Sequence, residues 1–315
     1  MPSDRYVETA RAPEHFPHGP PSRAAARVLV GSAVFHYLGP SFAVLLFARV
    51  DVLGVAWLRI ASAAAILAIW RRPLRKLARV DRGGRVLLVA LGAVFASMNA
   101  CFYEAIDRLP LATVAAIEFI GPILLALAGA RVARNFAAVC AAAVGVYLLT
   151  RARFVGEPLG VGFAFANASL FTAYIVLAHR VARRSSMGGV DGLAAAMIFA
   201  FVVVSPIGLT GAARALTDPI ALAAGIGVGL TSSVIPYVFD QFAMARLPRA
   251  TYALFVALLP ATATVIGVIV LRQLPTQLDL AGIGLVMLGV ALHRPEASPA
   301  EKVTAKAAID STVPG

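Results

Sequence analysis

The sequence predicts an all-α polytopic membrane protein: ten transmembrane helices arranged as two inverted five-helix repeats. Three observations carry that prediction. Of 315 residues, 60% are hydrophobic and 14% charged, with mean hydropathy +0.83; a soluble domain carries nearer about a quarter charged residues. Apolar runs fall at residues 24–47, 53–70, 86–106, 110–130, 133–150, 159–180, 192–210, 220–242, 247–271 and 277–293. Each approaches the roughly 20 residues a helix needs to cross about 30 Å of hydrocarbon. The chain also repeats itself. At a constant offset of 138, Ala105, Arg108, Leu109, Pro110, Ala112, Thr113, Ala115 and Pro122 recur as Ala243, Arg246, Leu247, Pro248, Ala250, Thr251, Ala253 and Pro260.

In chain order, residues 1–24 are polar and proline-rich, which predicts a disordered cytoplasmic tail. His15 and His18 in it carry no metal-site spacing. The run at 24–47 lacks the short apolar core and Ala-x-Ala exit of a cleaved signal, so it reads as a retained helix. The first five-helix repeat occupies residues 25–151 and the second 152–293. Residues 294–315 are again polar and read as a disordered cytoplasmic tail.

Orientation follows from the basic residues. Net charge is +12, but it sits in short clusters between apolar runs rather than in a basic domain. That pattern points to anionic lipid at cytoplasmic loops and away from nucleic acid. Alternate segments, counted from the N-terminus, hold Arg71, Arg72, Arg75, Lys76, Arg79, Arg82 and Arg85, then Arg131 and Arg134, then Arg180, Arg183 and Arg184, then Arg246 and Arg249. The opposite loops hold only Arg49, Arg108, Arg151, Arg153, Arg214 and Arg272. Both termini are therefore expected in the cytoplasm. With five helices per repeat, the second repeat enters the membrane upside down, the arrangement that secondary transporters use to expose one central site alternately to two faces.

Polar residues inside the runs mark where that site would lie. Arg59 in the second run, Asn99 in the third and Glu118 in the fourth each fall roughly 10 Å below the outer face by residue count. A buried charge there needs a partner or water. Two arrangements satisfy it: the three converge on a central cavity, or Arg59 and Glu118 pair and tie two helices together. His36 near the middle of the first run suits a proton relay or a hydrogen-bonded core histidine. Asp240 and Glu104 stand near opposite interfaces, as site residues or as solvated helix ends. Tyr103, Tyr174, Tyr237 and Tyr252 line a pore or form interfacial belts.

Pro122, preceded by Gly121, and its repeat partner Pro260 lack an amide hydrogen and should kink their helices, as should Pro236. Gly225-x-x-x-Gly229 suits close helix packing. Cys101 and Cys140 lie inside apolar runs and read as buried small hydrophobes, with no disulfide or metal pattern. No phosphate-binding Gly-x-x-x-x-Gly-Lys-[Ser/Thr] loop, His-Glu-x-x-His or Gly-x-Ser-x-Gly motif occurs, which argues against an ATP-driven pump and against the commoner hydrolases.

Specific stretches carry a family resemblance. They are Leu58-Arg59, Met98-Asn99 through Phe102-Tyr103, Leu109-Pro110-Leu111, Glu118-Phe119-x-Gly121-Pro122, Ser233-x-x-Pro236-Tyr237 with Asp240, and Arg246-Leu247-Pro248 through Pro260. Together they resemble the EamA-type transporters of the drug/metabolite transporter superfamily, in the threonine/homoserine exporter-like branch. The resemblance implies export of small amino acids or related metabolites across the bacterial inner membrane, coupled to protons, with no cofactor and no enzymatic activity. Export of a drug or other metabolite on the same fold, and a membrane-embedded enzyme or assembly partner, are the alternatives. One departure stands out: where family members carry an acid after the ninth helix, this chain has Gln273. On this reading Arg59 meets a substrate carboxylate and Glu118 accepts its ammonium or a proton.

Overall fold

The computed structural model describes residues 23–121, 123–124, 133–150, 157–184, 187, 189–239 and 249–292. Every regular element among them is helical. In order these are α1 (Arg23–Leu46), α2 (Val52–Arg71), the short α3 (Pro73–Leu77), α4 (Arg82–Arg108), α5 (Leu111–Glu118), α6 (Ala133–Thr150), α7 (Pro158–Arg184), α8 (Gly189–Thr217), α9 (Pro219–Gly229), α10 (Arg249–Leu271) and α11 (Gln277–Leu292). A π-helical turn, Leu230–Val234, extends α9 so that the span continues to Phe239. Six of these helices are long and apolar enough to cross a membrane, and Gly31–Leu46, Leu259–Leu271 and Gln277–Leu292 are shorter apolar segments.

Local chemistry sets the ends. Asp51, Asp81 and Asp218 precede α2, α4 and α9, and each carboxylate accepts first-turn backbone N–H groups, at 3.0 Å from Leu53, 3.1 Å from Gly83 and 2.9 Å from Ile220. These bonds satisfy donors that a helix start leaves open. Pro73 opens α3 at a position where a missing N–H costs nothing. Leu109, in extended conformation before Pro110, closes α4.

The helices pack in a defined set of pairs: α4 on α7, α2 on α8, α6 on α11, α4 on α8, α2 on α9, and α1 on both α9 and α10. Large apolar side chains such as Ile69, Val202, Ile220 and Ile269 stay exposed on the outside, as lipid-facing residues do. Small residues set the close crossings. A Cβ added to Gly229 would lie 2.7 Å from the Arg59 carbonyl on α2, and Gly225 packs on Leu58 of the same helix. The Gly-x-x-x-Gly spacing is therefore an α2–α9 contact.

One expectation needs correction. Cys140 is exposed on α6 and Cys101 only half-buried, because apolar surface in a membrane helix faces lipid as readily as core. Gly121 also makes a close contact: an added Cβ would meet the Ala168 carbonyl at 2.8 Å and overlap the Thr172 hydroxyl on α7. Pro122 and Asp240 lie outside the described residues, as does the Tyr252 side chain. Pro260 is buried within α10, which continues through it to Leu271.

Candidate functional site

Among the described residues Arg59 is the one buried cation, 5% exposed on α2. What holds it begins with Pro236. Proline offers no N–H, so the Ser232 carbonyl four residues earlier loses its helical donor. Around that vacancy α9 widens into the π turn Leu230–Val234, a distortion often found at functional sites. Arg59 supplies the missing donors: Nη2 donates to the Ser232 carbonyl at 3.0 Å and Nε to Ser233 Oγ at 2.8 Å. Its guanidinium also lies over the buried Tyr103 ring, 5.5 Å from the centroid. Helix α1 crosses the same turn at Gly39, where a Cβ would sit 2.7 Å from the Ser232 nitrogen. Only glycine allows that approach.

Glu118 is the last residue of α5. The helix breaks at Phe119 before turning helical again at Ile120 and Gly121. The sequence supplies the reason, since the residue four places on is Pro122, which has no N–H for the Glu118 carbonyl. The carboxylate is half-buried and accepts a hydrogen bond from Asn167 Nδ2 on α7 at 3.3 Å. Asn99 on α4 is 1% exposed and donates to the Phe95 carbonyl of its own helix at 2.8 Å.

These side chains border one cavity of about 30 Å³, lined by His36, Tyr37, Pro40, Arg59, Met98, Asn99, Phe102, Glu118, Asn167 and Tyr237. That volume holds about one water molecule. Of the residues singled out in the sequence, His36, Arg59, Asn99, Glu118 and Tyr237 meet here. Tyr103 stands behind Arg59 rather than on the cavity wall. His36 packs against Tyr37 and Tyr237 at ring distances of 5.8 and 6.0 Å. Tyr174 joins the aromatic wall through Tyr237 and Phe95. Glu104 pairs with Arg108 at 2.5 Å one helical turn away, at the end of α4.

The pairing that would merely tie two helices together does not form. Among the described residues no Arg59–Glu118 ion pair falls within 4.0 Å; Arg59 is committed to α9 and Glu118 to α7. A guanidinium has five N–H donors, and Arg59 uses two of them in hydrogen bonds. The cavity thus presents one cation, one carboxylate and several neutral polar groups.

Sequence reasoning missed Tyr37 and Asn167. Asn167 is fully buried and Tyr37 1% exposed, and neither Asn167 Oδ1 nor Tyr37 Oη has a hydrogen-bond partner. Asn167 had a usable signal, being the one amide inside the apolar run 159–180. A larger groove of about 450 Å³ lies where α1 ends and α9 begins, lined by Phe42, Leu45, Ile220 and Ala224 with Arg49 among them. It contains none of the expected site residues. Among the described residues no three of His, Cys, Asp and Glu cluster as a metal site would require.

Comparison with known proteins follows the same lines. The EamA-like transporter family matches residues 158–293. The threonine/homoserine exporter RhtA of Escherichia coli (strain K12) is 30% identical over 254 residues, covering 79% of this chain and 84% of the relative. RhtA of Salmonella typhimurium (strain LT2) is 29% identical over 248 residues, 77% and 81% of the two chains. One solved crystal structure, 18% identical, aligns over 86% of this chain and 96% of its own with a TM-score of 0.53, a likeness of fold alone. The Gln273 departure also has a place, since its Oε1 accepts the Leu111 N–H at 3.0 Å and caps the start of α5 with a neutral group. Motifs, helical membrane fold and relatives agree: the chain belongs to the EamA-like transporters of the drug/metabolite transporter superfamily and is similar to the threonine/homoserine exporter RhtA.

Proposed function

We propose that this protein is a secondary exporter of small amino acids or related metabolites, driven by proton entry across the bacterial inner membrane. The observation that carries the reading is the cavity in which Arg59 and Glu118 face a common space without neutralising each other. An amino-acid zwitterion needs both partners: the free donors of Arg59 for its carboxylate, and Glu118 for its ammonium. The proton and the ammonium then compete for one carboxylate, and that competition suffices for antiport. Protonated Glu118 releases substrate on the proton-rich side; ionised Glu118 rebinds it on the other.

The chain is read as ten spans in two inverted halves, residues 25–151 and 152–293, with both termini cytoplasmic. The packing supports this. Exchanging each first-half span with its second-half counterpart turns α4 on α7 into α9 on α1, and α4 on α8 into α9 on α2. It leaves α2 on α8 and α6 on α11 unchanged, and all of these contacts occur. Asn99 and Tyr237, separated by the repeat offset of 138, both line the cavity. The breaks after Glu118 and at the π turn interrupt two helices beside the cavity, although these spans are not counterparts in the repeat; alternating-access transporters put their sites at interrupted helices. A cavity with room for one water is a closed state, so substrate entry requires the halves to move apart.

Counterflow of radiolabelled amino acids into proteoliposomes, across a panel and with and without a pH gradient, tests the reading. Accumulation of at least one small amino acid, stimulated by the gradient, is expected. No counterflow of any amino acid, with export of a hydrophobic drug instead, would replace it with the drug-exporter alternative.

A further inference from the structure

Two residues that line the cavity carry buried polar atoms that the protein leaves unpaired, Asn167 Oδ1 and Tyr37 Oη. Such atoms are rare in folded proteins, and each calls for a ligand or a water. The orientation of the Asn167 amide is fixed by its neighbour: Nδ2 is the end that bonds the Glu118 carboxylate, because Oδ1 there would set acceptor against acceptor. The carbonyl end is therefore the free one, and it is purely an acceptor. It lies beside a carboxylate, which is also an acceptor. Tyr37 lines the same cavity as that carboxylate, and its phenol oxygen can accept as well.

From this arrangement we infer that the site selects its substrate by the number of N–H donors it carries, and that Asn167 and Tyr37 are ligand-binding residues of the transporter. The residues that carry these three acceptors line one cavity about the size of one water molecule. A primary ammonium has three N–H donors and can serve Glu118, Asn167 and Tyr37 at once. A secondary amine has one donor fewer and leaves an acceptor buried and unpaired. A quaternary ammonium has none, so it matches the charge of Glu118 and fails both neutral groups. Hydrophobicity and net charge, the properties on which cationic drugs are gathered, would not pass this filter. The inference rests on the proposed amino-acid reading and deepens it: the substrate class is a primary amine with a carboxylate, small enough for a cavity that opens from one water.

Proteoliposome counterflow with L-threonine as the reference probe, against its N-methyl and N,N,N-trimethyl derivatives, tests the inference in the full-length protein. N-methylation is expected to lower uptake about tenfold, the usual consequence of a buried polar group losing its partner. The trimethyl derivative is expected at the level of empty liposomes. Bulk is separated from hydrogen bonding by Tyr37→Phe, which keeps the ring, and Asn167→Leu, which keeps the approximate shape. Each should shrink the preference for the primary amine, chiefly by slowing threonine. Equal transport of threonine and its N-methyl derivative by the unaltered protein would overturn the inference, as would an unchanged preference in Tyr37→Phe. Absence of threonine counterflow, with every other amino acid also inactive, would instead remove the proposed function beneath it.

Discussion

Two groups of charges in this protein are handled in opposite ways. At the start of α8, Asp191 meets Arg71 at 2.6 Å and also pairs with Lys76, where α2 turns into α3. Opposite charges there are brought together, partly in solvent, and neutralise one another. In the central cavity Arg59 and Glu118 border the same space, yet each is held by neutral groups on another helix: Ser232 and Ser233 for the cation, Asn167 for the anion. The first arrangement fastens the ends of two helices. The second keeps a buried cation and a half-buried anion available, at a desolvation cost that closing them into a pair would partly offset by Coulomb attraction. Separation of charge, more than its presence, is what distinguishes the site.

The contrast can be broken in order of expected effect. Replacing Arg59 with Gln removes the carboxylate partner and returns the Ser232 carbonyl to an unsatisfied state. Counterflow should fall by roughly 100-fold or more, since losing a buried charged hydrogen-bonding group commonly costs that much; rates in proteoliposomes measure it. Pro236→Ala acts on the same bond from the other side. It restores an N–H for the Ser232 carbonyl and makes Arg59 redundant there. Transport should drop roughly fivefold as the guanidinium loses its anchor, while the melting temperature in detergent stays level or rises. Asp191→Asn tests the other charge group. It should cost less than about 1 kcal/mol, as partly exposed ion pairs do, with transport within about twofold of the starting protein. Melting curves at low and high salt would show that small loss shrinking as salt screens it.

The sequence made the helical membrane class and one layer of the candidate site readable because both rest on large energies. Long apolar runs follow from the cost of unsatisfied backbone in lipid, and Arg59, Asn99 and Glu118 stood out because buried polar groups are expensive. Residue counting placed those three at one depth, and they do border one cavity. What stayed hidden rests on smaller terms. Tyr37 is a neutral side chain in an aromatic-bearing helix and resembles any core tyrosine. The π turn is a local shift in bonding that no hydropathy pattern records, though a proline four residues after Ser232 was its cause and lay in plain view. The close contact of Gly121 with Ala168 and Thr172 on α7 had no signal in its own segment, where only the neighbouring Pro122 stood out. Such contacts between distant segments cannot be read from one segment alone.

Glu118 is where the account is most exposed. Threonine counterflow by the unaltered protein and by Glu118→Gln, each measured with and without an inward proton gradient, addresses it directly. A gradient should accelerate transport in the unaltered protein and do nothing in the variant, whose amide can neither take up nor release a proton. A variant that still transports and still answers to the gradient would contradict it, and would move proton coupling to some other residue.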